Sequence, residues 1–451
     1  MTSFSVHSRL HFPIWRRIHG LPRTLIERWQ LFELRRVLDT AYAHVPFYRE
    51  LLRREKVSPD SISSLADLRQ LPILSKDVFR SHPTEATIRN DLIEKRDYVW
   101  NQTSGTTGMP FRYALNSFYI RYSIPHYRMY SEFCKYRFLR WGGAPLSFIA
   151  HRMRVVELGV RYPRPNLRYF PPEVVNHDPE RVCWEIAHFQ PFLLEGVPTF
   201  VNEVVRVYAR NQHRFRIRIP VINTHGERLT EGNREFLRAL FGADVFSRYG
   251  TGETGVIGVE CAARDGFHIL EESFVVEIVD QGGAPVPDGS PGRVLVSFFY
   301  NDVMPFIRYD TGDRGVILPD SCRCGIPARR IRIDGREGEV VLVNGKSVGV
   351  VQFEMILSYF SEYVHRFQVR KTHTGALKLN VVPTERFSRE IAERIREEFR
   401  RITGVIPLIA AVDGIPATSR GKTKTFIDEA DRHVNVLVHD APSKRISTSI
   451  P

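Results

Sequence analysis

Apolar residues recur at helical spacing through 25–48, at Leu31, Leu34, Val37, Leu38, Ala41 and Tyr42, which predicts an amphipathic opening helix ending at Pro46. Further helices are predicted over 181–189 and 201–210, preceded by a Pro-rich loop over 163–172. Between them Pro191-Phe-Leu-Leu-Glu195-Gly is short and mostly apolar, and reads as a buried strand. Strands alternating with helices predict a layered α/β architecture. From Phe274 the pattern changes: two strand-like runs, 274–280 and 293–298, flank a Gly/Pro-rich turn over 282–292, which predicts a β-hairpin-rich subdomain.

Gly335-Arg336-Glu337-Gly338 brackets charges with glycines between apolar segments and predicts a domain boundary. It separates a large first domain, 1–336, from a smaller one, 337–438. The smaller one reads as α+β, with helices over 351–359 and 388–401 and strands over 366–370, 377–382 and 408–412. The tail, 439–451, is polar without a period and is predicted to be disordered.

A length of 451 residues, 43% of them hydrophobic, supports this division and a substantial core. The longest apolar runs fall far below the roughly 18 residues needed to cross a bilayer, so no membrane span is expected. Arg9, Arg16 and Arg17 stand among His and aromatics with no continuous apolar stretch, so no secretory signal is read and a cytoplasmic location is expected. The net charge of +13 invites nucleic-acid binding, most of all over 121–140, where Arg alternates with Tyr122, Tyr127, Tyr130, Phe133 and Tyr136. Yet the 64 basic residues are spread along the whole chain among acidic ones, which reads as a solvated, arginine-biased surface and no nucleic-acid partner. Monomer and homodimer both remain open.

Chemistry concentrates in Thr103-Ser-Gly-Thr-Thr-Gly-Met-Pro110, which comes after the strand-like Tyr98-Val-Trp100. Gly105 and Gly108 allow close backbone approach, and Ser104, Thr106 and Thr107 offer donors, so the loop can cradle phosphate; a polar surface turn is the alternative. It is not a Walker loop, because no lysine stands after Gly108. Gly345-Lys346-Ser347 and Gly421-Lys422-Thr423 fail the same test, with Val340 and Pro416 where the earlier glycine belongs. Gly250-Thr-Gly252-Glu-Thr-Gly255 fits the dinucleotide fingerprint after a strand over 244–249, but the stretch from Val256 to Gly266 leaves little room for the helix that the fingerprint must open. Of the five cysteines, Cys322 and Cys324 form a tight knuckle and Cys261 precedes His268 by seven residues. These four could supply a tetrahedral Cys3His set, although the spacing by itself favours unrelated reduced thiols.

Taken in order, the Thr103 loop, Tyr249-Gly-Thr-Gly-Glu253, Arg308-Tyr-Asp-Thr-Gly-Asp313 with Arg336 soon after, and Pro416-Ala-Thr-Ser-Arg-Gly-Lys422 resemble the AMP-forming acyl-CoA synthetase superfamily. Ala43-His-Val-Pro-Phe-Tyr-Arg49, Leu71-Pro-Ile-Leu-Ser-Lys76 and Cys322-Arg-Cys-Gly325 make the chain similar to its phenylacetate–CoA ligase-like branch, which includes the CapK-type proteins. The resemblance covers residues 35–430.

It implies a large multi-layered adenylate-forming domain, with a β-rich subdomain, and a small mobile α+β domain that rotates about Glu337. It implies ATP-dependent activation of a small carboxylic acid to an acyl-adenylate, then transfer to a thiol, most often coenzyme A. A carrier-protein thiol or a sugar amine is the CapK-type alternative. Thr103, Ser104, Gly105, Thr106, Thr107 and Gly108 would hold the β- and γ-phosphates. Tyr249 would lie against the adenine with Gly226 and Glu227 near the base, Gly250 and Thr251 would belong to the nucleotide site, Asp313 would bind the ribose, and Arg336 the ribose or phosphate. Glu253 matches the Mg2+ ligand, and Lys422 the lysine that reaches the α-phosphate. Cys261, His268, Cys322 and Cys324 match a structural zinc site of some members. The acid pocket is expected along 119–141 and 148–170. Three positions depart from the family pattern: Phe111 replaces a lysine, Gly252 a hydroxyl residue, and Glu337 the usual hinge Asp or Lys.

Overall fold

The computed structural model describes residues 18, 20–93, 98–102, 111–116, 154–158, 167–336, 340–343, 346–349, 353, 356–357, 359–360, 362–415 and 426–429. The chain builds two compact units, the first made of most residues up to Glu337 and the second of 338–451 grouped with the short stretches 104–110 and 230–235.

The first opens with two helices where the sequence pattern predicted one. Helix α1 (Arg23–His44) buries Ile26, Leu34, Val37, Leu38 and Ala41. Val45, ahead of a proline, is extended at φ −111° and ψ 107°, and Pro46 then starts helix α2 (Pro46–Arg54). A proline ring disfavours the helical conformation in the residue before it, yet suits the first position of a new helix, where no N–H is needed. After Leu74 comes the short helix α3 (Lys76–Arg80), and then the hairpin β1 (Tyr98–Gln102) and β2 (Arg112–Asn116), which brackets the Thr103–Pro110 loop. That loop lies outside the described residues.

One sheet of eleven strands carries the rest of this unit. Its parallel half is β3 (Val155–Leu158), β4 (Leu167–Phe170), β5 (Leu193–Gly196), β6 (Val221–His225) and β7 (Asp244–Thr251), in spatial order β4-β3-β5-β6-β7. Helices α4 (Pro172–His177), α5 (Pro179–Phe189), α6 (Pro198–Arg210) and α7 (Glu231–Phe241) connect these strands. Beyond β7 the sheet is antiparallel, in spatial order β8 (Gly255–Glu260), β9 (Phe267–Ile269), β13 (Arg330–Arg336), β12 (Tyr309–Leu318), β11 (Gly292–Phe298) and β10 (Phe274–Val279). This mixed sheet is the layered α/β fold with a β-rich part that the sequence predicts. Two cores result. Val156, Leu194, Ile222 and Val245 pack with Val182, Ile186, Phe200 and Val204 of the connecting helices. Val155, Leu193, Val221 and Phe246, one residue away and hence on the opposite face, join the larger core of α1, α2 and the antiparallel strands.

In the second unit, after a short hairpin of β14 (Val340–Val343) and β15 (Lys346–Gly349), β16 (Val364–Lys371) pairs antiparallel with β17 (Leu377–Pro383). β18 (Leu408–Ala411) and β19 (Phe426–Asp428) add parallel strands at the two edges. Helix α8 (Arg389–Thr403) begins where Ser388 Oγ accepts from Ile391 N at 3.3 Å and ends at Gly404, φ +68°. Its arginines pair with glutamates three residues earlier, Arg396 with Glu393, Arg400 with Glu397 and Arg401 with Glu398. Three of the arginines in this segment are thus held in local, solvated pairs. The expected helix over 351–359 is helical at residues 353, 356 and 357, its other positions but 359 lying outside the described residues. Glu337, Lys422 and the tail also lie outside the described residues. Among the described residues no helix is long and apolar enough to cross a membrane.

Candidate active site

The site is built where β7 turns into β8. Gly250-Thr-Gly252-Glu-Thr-Gly255 forms the hairpin between these antiparallel strands and opens no helix, so it is not a dinucleotide fingerprint. A Cβ on Gly250 would lie 2.1 Å from the Gly255 carbonyl oxygen, so only glycine allows the two backbones to approach this closely. A Cβ on Gly252 would come within 2.5 Å of the Tyr113 hydroxyl. The buried Tyr113 therefore leaves no room for a Ser or Thr at position 252. Thr251 Oγ1 accepts from Thr254 N at 3.2 Å and closes the turn. Phe111, a second of the three departures, packs in the core against Phe79 at 5.9 Å between ring centroids.

Two side chains of this hairpin reach two of β12. The Tyr249 hydroxyl donates to Asp313 Oδ2 at 2.8 Å, and the Tyr309 hydroxyl donates to Glu253 Oε1 at 2.9 Å. β8, β9 and β13 intervene between β7 and β12 in the sheet. Laid flat, four steps of about 4.8 Å would separate the strands by roughly 19 Å, beyond the reach of a tyrosine. The antiparallel half therefore curls on itself, and the curl brings two sequence motifs into one site.

Glu253 is 1% exposed. Burial by itself would raise its pKa, but Lys76 Nζ at 3.0 Å and the Tyr309 hydrogen bond outweigh that and hold the carboxyl below its ordinary range. Lys76 arrives by a specific route. Leu74 N donates to Arg308 O at 3.1 Å and Asp310 N to Leu74 O at 2.9 Å, which docks residue 74 beside Tyr309 just before Ser75 caps α3. Arg308 holds this junction in a left-handed backbone, φ 49°, while its guanidinium donates to Leu71 O at 2.7 Å and pairs with Glu277. A non-glycine residue in that region is uncommon and marks a constrained position.

Asp313 faces Arg336 across β12 and β13, with Arg336 Nε 3.4 Å from Oδ1. Burial pushes the Asp313 carboxyl up, against the opposing pull of Arg336 and the Tyr249 hydroxyl. Burial, then the Asp313 charge, also pushes the Tyr249 phenol up, so it remains a donor. Gly226 turns with φ +76°, and Glu227 Oε2 accepts from Thr199 N at 3.1 Å and from its hydroxyl at 2.7 Å. The carboxylate thus satisfies the first turn of α6. The structure brings together Tyr249, Glu253, Asp313 and Arg336 of the predicted set, while Thr103, Ser104, Gly105, Thr106, Thr107, Gly108 and Lys422 lie outside the described residues. Lys76 and Tyr309 were legible as parts of motifs, but nothing local shows that they share one carboxylate.

At the far ends of β8 and β12, Cys261, His268, Cys322 and Cys324 place their ligand atoms within 4.8 Å of one another. Cys261 Sγ lies 3.6 Å from Cys322 Sγ, and Cys324 Sγ 3.3 Å from His268 Nε2. Both separations are near the ligand–ligand distance of about 3.7 Å that tetrahedral Zn–S bonds of about 2.3 Å require, and the Cys261–Cys322 separation is too long for a disulfide. His268 Nδ1 meets Ala328 O at 3.2 Å, which leaves Nε2 to face the thiols.

A family model described as "AMP-binding enzyme" matches residues 19–298. The phenylacetate-coenzyme A ligase of Thermus thermophilus is 27% identical over 397 residues, spanning 84% of this chain and 86% of that one. Its namesake from Escherichia coli is 24% identical over 434 residues, 89% of this chain and 94% of that one. Among solved structures, a 2-hydroxyisobutyryl-CoA ligase in the postadenylation state superimposes with a TM-score of 0.75 at 17% identity, over 92% of each chain.

Proposed function

This chain belongs to the AMP-binding enzyme family, and on that premise we propose that it activates a carboxylic acid with ATP and passes the acyl group to a thiol. It is an AMP-forming acid–thiol ligase of the phenylacetate–CoA ligase-like kind. The observation that carries the reading is the paired bridge Tyr249–Asp313 and Glu253–Tyr309, which gathers a ribose-type carboxylate and a buried anionic carboxylate at one strand junction.

A carboxylate is a poor electrophile. Attack of its oxygen on the α-phosphorus of ATP forms a mixed anhydride with AMP and releases pyrophosphate. A thiol sulfur then attacks the acyl carbon, giving the thioester and AMP. Asp313, which the Tyr249 hydroxyl orients, accepts from the ribose hydroxyls, and Arg336 supplies positive charge beside it. A buried carboxylate kept ionised suits a hard divalent cation, so Glu253 would hold Mg2+, which neutralises phosphate charge. Lys422 and the Thr103–Gly108 loop are assigned to the α-phosphate and to the β- and γ-phosphates by their motifs. The small unit after Glu337 is assigned to carry Lys422 into and out of the site. A cytoplasmic location goes with this reading, since the reaction consumes ATP and coenzyme A.

Screening carboxylic acids for ATP-dependent pyrophosphate release tests this reading, and coenzyme A as acceptor gives the thioester. Pyrophosphate released without any CoA thioester would point instead to a carrier thiol or an amine. No release with any acid, with the protein folded, would overturn the assignment.

The Cys3His cluster is assigned to structural zinc, which would tie the two loops at that end of the sheet together. Protein purified without added zinc is expected to carry about one equivalent by elemental analysis, and Cys322→Ser to lower Tm by at least about 5 °C. A zinc content under about half an equivalent counts against it.

A further inference from the structure

Parallel strands covered on both faces are ordinarily apolar throughout, yet four neighbouring strands here carry buried polar residues near their carboxyl ends. Glu157 of β3 is in register with Glu195 of β5, and Glu195 with Asn223 of β6; Arg248 of β7 is in register with His225, the last residue of β6. All four are buried. Each stands two residues after Val155, Leu193, Val221 or Phe246, so the alternation of a strand puts them on the face of the larger core, away from the connecting helices.

The row is organised around Glu195. Its Oε1 accepts from Asn223 Nδ2 at 2.8 Å and faces Arg248 Nη1 at 3.1 Å. Among the described residues Asn223 Oδ1, also buried, has no hydrogen-bond partner. A buried acceptor left unpaired is costly, and it is paired at once by a ligand that brings an O–H or N–H. The position agrees, since α/β sheets bind ligands at the carboxyl ends of their strands. Asn223 precedes Gly226 by three residues, about 10 Å at the rise of a strand, comparable to the length of a small aryl acid. Along the next strand, Arg248 precedes Tyr249 directly and Glu253 by five residues.

We propose that Glu157, Glu195 and Asn223 form the far wall of the acid pocket and select carboxylic acids that carry a hydroxyl or amino donor at the end opposite the carboxylate. The proposal rests on the acid-activating reading above. An unsubstituted phenyl or alkyl end would leave Asn223 Oδ1 unsatisfied against an apolar surface, whereas a donor-bearing acid satisfies it. Sites built to hydrogen-bond a substrate group reject analogues that lack it far more strongly than apolar pockets reject additions.

The test uses matched pairs, 4-hydroxyphenylacetate against phenylacetate, 4-aminobenzoate against benzoate and 4-hydroxybutyrate against butyrate. Two readouts apply to the full chain, kcat/KM for pyrophosphate release and the rise in Tm produced by each acid without nucleotide. The donor-bearing member of at least one pair is expected to be preferred by about 10-fold or more, and Asn223→Leu to narrow that preference below about threefold. Asn223→Ala replaces the leucine variant should that one not fold, and the wild-type comparison stands without either. Equal or reversed preference in every pair overturns the proposal, as does a preference that survives in whichever of the two variants folds. If no acid releases pyrophosphate but donor-bearing acids alone raise Tm, the acid-activating reading fails and the recognition wall stands; if no acid raises Tm or is turned over, the wall fails as well.

Discussion

Glu253→Gln is expected to slow acid-dependent pyrophosphate release by roughly 100- to 1,000-fold. Glutamine keeps the shape and can still accept from the Tyr309 hydroxyl, so the bridge to β12 survives. What disappears is the negative charge that faces Lys76 and that would hold a divalent cation. Lys76 is about one-quarter exposed and can turn its ammonium to water, so the fold should tolerate the change and Tm should fall by only a few degrees. The loss should therefore appear in the rate and in a raised Mg2+ concentration for half-maximal activity. A glutamine variant with wild-type turnover and unaltered Mg2+ dependence would remove Glu253 from the metal role. Collapse of the fold would assign it to structure instead.

Lys422→Ala is expected to cut acid-dependent pyrophosphate release by about 100-fold or more, while a supplied acyl-adenylate is still converted to thioester. The asymmetry is the diagnostic part. A lysine that stabilises charge building on the α-phosphate acts only in adenylation, whereas one needed for folding would impair both half-reactions. Neither Gly421-Lys422 nor the Thr103–Pro110 loop completes a Walker sequence, so the cation that a phosphate cradle needs has to come from elsewhere in the chain. Normal pyrophosphate release by the alanine variant would refute the assignment.

Much of the architecture was legible because it is written in local patterns. The runs at 191–196, 274–280 and 293–298 became β5, β10 and β11, and Ser388 and Gly404 bound α8 as capping chemistry requires. The opening helix ends at His44, close to the stop expected at Pro46, but the second helix that this proline begins was missed, because a proline that ends one helix also suits the first position of the next. The four zinc-type ligands were individually visible but ambiguous by spacing, since Cys-x-Cys constrains only two of the four positions.

By itself the sequence determined the alternation of strands and helices, the family motifs and the chemical identity of the groups in the site, all properties of residues a few positions apart. Only the tertiary structure decided which of those groups meet. The curl of the antiparallel sheet joins Tyr249 to Asp313 and Glu253 to Tyr309, and the docking of Leu74 beside Tyr309 delivers Lys76 to Glu253. The buried row of Glu157, Glu195, Asn223 and Arg248 likewise emerges only when four strands lie side by side. The physical reason is one of range: side-chain periodicity and capping act over a turn or a strand, while the partner of a buried charge is chosen by the whole sheet.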